Sequence, residues 1–456
     1  MLQAEGLGSY STAMAFFSLG GLACNLGLSN FIPRELAKDL TQTNRYFLHT
    51  SVLILISSVV VAMFFVLLVP FFGYSTQTTV SIFLVSLALA PTTLQLVTGS
   101  VFISHQRGEF VTISTLVWTT IRMIVSLYLL FRGDGVIALV AAYTIISYLN
   151  YFNSLYFYMR HIEKPRWEFD FTFFKSMLSD LKSFVALGVG GSLFNQAETV
   201  ILSLVQNETE VGFYSAAYRL ITVWYVIPGS FMEVVFPVLT RTYQHSPDKS
   251  QAIQQKALKY LLAIGLPLTL GGFVIAEQTI NIFYGPAFAK SVLVFRIMAW
   301  HTVLAFVNNV LWRILLARDE QHLAVFVQFI SGFIRIVLSF ILGYRFGAVG
   351  AAWALIGGYT VYTLLHIYFV NRGGASLPFL RLGGRFTLAA LVMSGITIVL
   401  SPFLSIFVLV PLAVIVYVVL VVALRAFSKE DWFLFRQMLP LGNKTRKTNP
   451  AAKGAD

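Results

Sequence analysis

The chain has 456 residues, 57% of them hydrophobic and 11% charged, with a mean hydropathy of +0.76. Soluble domains carry about 25% charged residues, so a water-soluble globular fold is excluded. A formal net charge of +12 could point to nucleic acid, but the placement of the basic residues, given below, excludes that reading; the single cysteine, Cys24, excludes an internal disulfide or a thiolate metal site.

In chain order, apolar stretches near 8–32, 46–72, 79–104, 111–131, 135–159, 183–205, 212–240, 257–283, 287–315, 322–344, 347–371, 386–402 and 405–424 are each long enough to cross a membrane. Such a crossing takes roughly 20 helical residues. Strand-like alternation is absent, so the spacing predicts an all-α polytopic membrane protein of thirteen helices. Between the fifth and sixth stretches, residues 166–182 mix Trp167, Phe169, Phe171 and Phe173 with Glu168, Asp170, Lys175 and Asp180, the pattern of an interfacial helix. From Ser428 a short amphipathic piece leads into a polar, basic tail with the composition of a disordered segment.

When alternate loops are assigned to opposite sides, 23 of the 32 lysines and arginines fall on one side and only Arg132, Lys290 and Arg345 on the other. This is the positive-inside pattern, which makes the rich side, with the C-terminus, cytoplasmic. The basic excess is therefore topological.

The chain also repeats itself. Gly8, Tyr10, Ser11, Ala13 and Pro33 match Gly212, Tyr214, Ser215, Ala217 and Pro237 at an offset of 204, and Ile121, Arg122, Ser126, Arg132, Val136 and Ala138 match Ile334, Arg335, Ser339, Arg345, Val349 and Ala351 at 213. Parallel repeats in so apolar a chain predict a two-lobed transporter with its substrate between the lobes. The counterpart of the 183–205 helix falls upstream of Met1, which predicts an N-terminally shortened chain whose parent has fourteen helices. The expected layout is an N-terminal lobe over 1–160 with five helices, a linker helix over 161–182, a C-terminal lobe over 183–372 with six, two more helices within 373–426, and a cytoplasmic tail over 427–456.

Catalytic signatures are absent: there is no phosphate-cradling loop and no His-Glu-x-x-His, so an enzyme is not expected. Gly188, Gly190 and Gly191 read as helix packing, and Asn207-Glu208-Thr209 is a formal glycosylation sequon. The informative residues are the ionisable groups inside spans, each costly and therefore a functional candidate. Arg122 and Arg335 occupy the same place in each repeat, one turn from Ser126 and Ser339. They serve either as interior locks or as substrate contacts. Arg219, Arg296 and Arg313 lie nearer helix ends, where snorkelling competes with function; Lys259 reads as an interfacial anchor. The acids in spans are Glu198, Glu233 and Glu277, leaving a cationic interior suited to an anionic, phosphate-bearing cargo. Glu198, beside Asn195 and Gln196, is either an ion-coupling carboxyl or a fixed partner of Arg219 or Arg122. Asn308 and Asn309 read as interhelical glue or ligand contacts.

The run Glu210-Val211-Gly212-Phe213-Tyr214-Ser215-Ala216-Ala217-Tyr218-Arg219, closing at Phe236-Pro237, resembles the start of the second lobe in polysaccharide flippases of the Wzx type, within the multidrug/oligosaccharidyl-lipid/polysaccharide exporter superfamily. Its echo from Leu7 to Ala13, with Gly27-Leu28 and Arg34 to Asp39, and the piece Tyr284 to Phe288 extend the resemblance along the chain. The resemblance implies flipping of an undecaprenyl-diphosphate-linked oligosaccharide across a bacterial cytoplasmic membrane by lobes that open alternately. It implies the bilayer and polysaccharide polymerase or assembly proteins as partners, and no nucleic acid. Arg122, Arg219, Arg296 and Arg335 would neutralise the diphosphate, Asn195, Gln196 and Asn308 would bond sugar hydroxyls, and Glu198 would carry the coupling ion, H+ or Na+. No cofactor or metal is expected otherwise. The rival readings are a drug/cation antiporter of the same architecture and a non-transporting scaffold for polysaccharide assembly.

Overall fold

A computed structural model describes residues 2–181, 197–374, 377–428 and 430–431. The described residues are helical throughout, without strands. In order they form α1 (Ala4–Asn25), α2 (Leu28–Leu36), α3 (Thr43–Leu68), α4 (Thr76–Leu87), α5 (Leu89–Ser104), α6 (Gly108–Arg132), α7 (Gly135–His161), a short α8 (171–181), α9 (Ala197–Val205), α10 (Glu208–Thr222), α11 (Val226–His245), α12 (Pro247–Val274), α13 (Ala276–Tyr284), α14 (Ala289–Ala317), α15 (Gln321–Arg372), α16 (Phe379–Leu400) and α17 (Ile406–Ala423). Eleven stretches are long and apolar enough to cross a membrane, and one of them, α15, is double. Of the thirteen expected crossings, the one over 183–205 lies outside the described residues except for α9.

Several expected single spans are broken helices, and local chemistry accounts for the breaks. The stretch at 8–32 bends at Leu26 and Gly27, both left-handed at φ 47° and 78°. The stretch at 79–104 breaks between α4 and α5. Pro91 supplies no N–H to the Leu87 carbonyl, and the Tyr148 hydroxyl takes its place at 3.1 Å. An unpaired carbonyl at this depth would cost several kcal/mol. Pro228 likewise follows the 3-10 turn Val223–Tyr225 that separates α10 from α11. In α15 the break is Gly347, with φ 60° and ψ −136°. Beyond it Gly350 lies against the Leu342 backbone and Gly358 against the stem of Arg335, so the second half runs back antiparallel along the first.

The helices gather into two lobes. One apolar core joins α2, α3, α5, α7 and α8 through Phe31, Phe47, Val97, Tyr158 and Met177, and another joins α1, α3, α4 and α7. In the second lobe α10, α13, α14 and α15 share a core, as do α11, α12, α14 and α15. The α16/α17 pair packs on α12. By contrast, α6 buries only Ser114 and α17 only Leu409 and Val421, leaving leucine, isoleucine and phenylalanine outward as a lipid-facing helix requires.

The repeat has a direct spatial meaning. The lobes meet where α1 crosses α10, and a Cβ on Gly8 would overlap the Glu208 carbonyl just as one on Gly212 would overlap that of Ala4. Ala4 and Glu208 are themselves offset by 204, so this contact is a pseudo-twofold axis seen at atomic scale. Glycine at both positions permits the approach.

Candidate functional site

The run that opens α10 builds most of the seam between the lobes. Asn207 caps the helix by accepting the Glu210 N–H at 3.0 Å, which gives the sequon asparagine a structural role. Glu208 crosses to the first lobe, accepting the Ser75 N–H at 2.9 Å and the Thr78 hydroxyl at 3.1 Å, while Tyr74 bonds Ser203 at 2.8 Å. Glu210 stays within its lobe: it pairs with Lys290 and accepts the Ala348 N–H at 2.8 Å, where the second half of α15 begins. Two turns on, Arg219 donates to Ser11 of α1 at 3.3 Å, with its guanidinium 5.1 Å from the Tyr10 ring. The contacts of Glu208, Tyr74 and Arg219 tie the lobes at the end poor in lysine and arginine. Below them a cleft of about 290 Å³, lined by Ser11, Met14, Thr199, Ser215, Tyr218 and Arg219, opens between α1, α9 and α10.

Inside the second lobe Glu198 and Arg335 form an ion pair at 2.6 Å, with side chains only 4% and 8% exposed. Sequence reasoning offered Arg219 or Arg122 as a fixed partner for Glu198. The partner is Arg335, because α9 packs along α15. The pair opens a chain of polar aromatic groups that the sequence did not reveal. Arg335 lies 5.6 Å from the Tyr359 ring, Tyr359 meets His301 edge-on at 3.8 Å, and His301 Nδ1 bonds the Tyr225 hydroxyl. Tyr225 stands in the 3-10 turn held open by Pro228. Of these groups Tyr359, His301 and Tyr225, together with Arg313, Asn309 and Tyr362, line a second cavity of about 380 Å³. The signal that could have revealed them is the recurrence of His and Tyr inside spans, polar groups that need partners at membrane depth.

The remaining predicted residues separate. Asn308 donates to Thr363 at 2.7 Å and to the Leu304 carbonyl at 2.9 Å, its Oδ1 meets His366 at 3.1 Å, and it also lines the 380 Å³ cavity. Arg296 pairs with Glu277 at 3.9 Å and lines neither cavity. Lys259 pairs with Asp431 at 2.6 Å. Asn195 and Gln196 lie outside the described residues. Three span arginines remain without an acidic partner among the described residues, each over an aromatic ring: Arg122 on Tyr143 at 4.4 Å, Arg219 on Tyr10 at 5.1 Å and Arg313 on Phe236 at 5.4 Å. Arg122 on Tyr143 repeats Arg335 on Tyr359. Among the described residues no three His, Cys, Asp or Glu side chains gather as metal ligands.

Two lobes of broken helices, joined at a glycine-lined pseudo-twofold with Arg219 at the seam, define a multi-pass membrane protein with the fold of the multidrug/oligosaccharidyl-lipid/polysaccharide exporters. The fold is that of a lipid II flippase, MurJ, in an inward closed conformation (TM-score 0.69, 16% identity, 92% of this chain and 97% of that one). It is also that of an inward-facing multidrug resistance MATE transporter (TM-score 0.63, 14% identity, 81% and 93%). The chain belongs to the family described as "Polysaccharide biosynthesis protein", which matches residues 1–293. It is similar to the probable low-salt glycan biosynthesis flippase Agl15 of Haloferax volcanii, 23% identical over 224 residues, 49% of this chain. That match spans 47% of the relative's length.

Proposed function

We propose that this protein moves a polyprenyl-diphosphate-linked oligosaccharide across the cytoplasmic membrane for polysaccharide assembly, without covalent chemistry of its own. The observation that carries the reading is that Arg219 at the seam, Arg313 in the second-lobe cavity and Arg122 over Tyr143 have no acidic partner among the described residues. With the basic loops cytoplasmic, the contacts at Gly8, Gly212 and Glu208 close the outer end and leave the conformation inward-facing. Arg219 and Arg122 receive the diphosphate, since a guanidinium fork matches phosphate oxygens two at a time. Arg313 meets it from the second lobe. The polyprenyl chain stays in lipid.

Ion coupling follows from the Glu198–Arg335 pair in this reading. While Glu198 is ionised it holds Arg335; an H+ or Na+ bound at the carboxylate releases Arg335 to the anionic cargo, so uptake of the ion and of the headgroup assist each other. Arg296, already paired with Glu277, takes a lesser part than its sequence position suggested. The second-lobe cavity, walled by Tyr225, Tyr359, Tyr362 and Trp312, favours one alternative, an antiporter for aromatic cations.

The test is deletion of the gene and complementation with this chain, followed by measurement of the membrane pool of lipid-linked oligosaccharide and of surface polymer. Accumulation of the lipid-linked unit with loss of polymer, reversed by complementation, is the expected result. An unchanged pool with altered sensitivity to aromatic cations would replace this reading with the antiporter.

A further inference from the structure

The structure assigns a second anion site, separate from the seam, to the basic end of α16 and α17, and its ligand is the phosphate headgroup of an anionic membrane lipid. There a cavity of about 570 Å³ is lined by Lys259 of α12, Leu380, Arg381 and Arg385 of α16, and Arg425 and Ser428 just beyond α17. No carboxylate stands among these lining residues. Of the two nearby acids, Asp431 pairs at the cavity's edge with Lys259 at 2.6 Å and Glu430 pairs with Lys256 at 3.2 Å, so the three lining arginines have no acidic partner among the described residues. Arg381, Arg385 and Arg425 therefore surround the space with three guanidinium groups whose mutual repulsion only an anion relieves.

The arrangement is built rather than incidental. Arg385 donates to the Arg425 carbonyl at 2.7 Å, which fastens the start of α16 to the end of α17. Arg425 itself sits in the left-handed region at φ 48°, so the chain turns sharply out of the helix there. The turn is fixed from its far side by Ser428 and Asp431. The Ser428 N–H donates to Asp431 Oδ2 at 2.7 Å, and Asp431 also accepts from Tyr260 at 2.6 Å. Below the cavity, Leu388 and Leu391 of α16 and Val418, Val419 and Val422 of α17 are exposed and form an apolar wall. A headgroup held by the three arginines at the interface would lay its acyl chains along that wall. Basic pockets between spans on the cytoplasmic side have the chemistry for phosphate headgroups.

This inference does not rest on the cargo proposed above. It is tested on the full chain purified in detergent, by native mass spectrometry after addition of cardiolipin, phosphatidylglycerol or phosphatidylcholine, with inorganic pyrophosphate as a soluble competitor. The expected result is retention of the two anionic lipids at least about fivefold over phosphatidylcholine, falling to the phosphatidylcholine level in R381Q/R385Q/R425Q and only partly in the matching triple lysine variant. Arg381 makes no described hydrogen bond or ion pair, so R381Q alone keeps the fold and is expected to lose about two- to threefold. Pyrophosphate bound at the same arginines without any preference for anionic lipid would reassign the site to a soluble phosphate. Equal retention of phosphatidylcholine by the unaltered protein with no pyrophosphate bound, or anionic lipid retained undiminished by R381Q and the triple glutamine variant, would overturn it.

Discussion

A lone arginine at the centre of a span costs about 2.5–3.5 kcal/mol on insertion scales, and this chain meets that cost in two ways. Arg335 is neutralised by Glu198, whereas Arg122, Arg219 and Arg313 rest on aromatic rings and keep their charge available. The distinction sets a prediction. Glu198→Gln or Arg335→Gln alone leaves a buried group unpaired and should lower stability in detergent by about 3–5 kcal/mol, while the double variant recovers most of the loss. A thermal-unfolding double-mutant cycle reads this, and additive losses would show the pair to be uncoupled. At this scale the sequence named the ionisable residues but not their partners. Glu198 and Arg335 are brought together only by the packing of α9 on α15, and His301 and Tyr225 meet only because Pro228 opens the turn between α10 and α11.

At the scale of elements, two docking events matter, one between the lobes and one within the first. One is the α1/α10 crossing. Gly212→Leu places a side chain against the Ala4 carbonyl and should keep the lobes apart. Cysteine pairs across Ser75 and Glu208 should then cross-link at least about tenfold less than in the parent. The other is the seating of α8 on α3. Asp170 accepts the Thr172 N–H at 2.8 Å and the Phe173 N–H at 3.2 Å, caps α8, and meets Arg45 at 2.5 Å; His49 Nε2 accepts the Asp170 N–H at 2.9 Å. The Phe173 N–H and then the Arg45 guanidinium hold the Asp170 carboxyl below its ordinary range. A carboxyl so lowered contributes stability above its unfolded pKa of about 3.9 and loses it as pH falls through the lower folded value. Trp167 emission should therefore shift below about pH 4, and the shift should be missing in Asp170→Asn. A helix in the aromatic-rich segment at 166–182 was legible from its composition, and the structure forms it over 171–181. The segment's extended start and the capping role of Asp170 were not legible, since both depend on α3 beside it.

For the whole molecule, periodicity and repeat carried far: the membrane class, the helix positions and the two lobes all follow from hydropathy and the 204-residue offset. The breaks at Leu26, Pro91 and Pro228 inside apparent single spans did not, because hydropathy is blind to a left-handed residue or a missing backbone donor. With the end poor in lysine and arginine held by Glu208 on Ser75 and Thr78, Glu208→Gln weakens a charge-assisted contact worth about 1.5–3 kcal/mol. Spin-label distances across that end should accordingly shift toward a separated population. The central claim, that uncompensated arginines carry a diphosphate headgroup between the lobes, is tested most directly in proteoliposomes. There the rate of flipping of a polyprenyl-diphosphate oligosaccharide would be measured for the parent chain and for R122Q, R219Q and R313Q at equal protein. The expected result is a loss of at least about tenfold for R219Q, the cost of one charged phosphate contact, with smaller losses at the other two. Flipping at the parent rate in all three would contradict the claim.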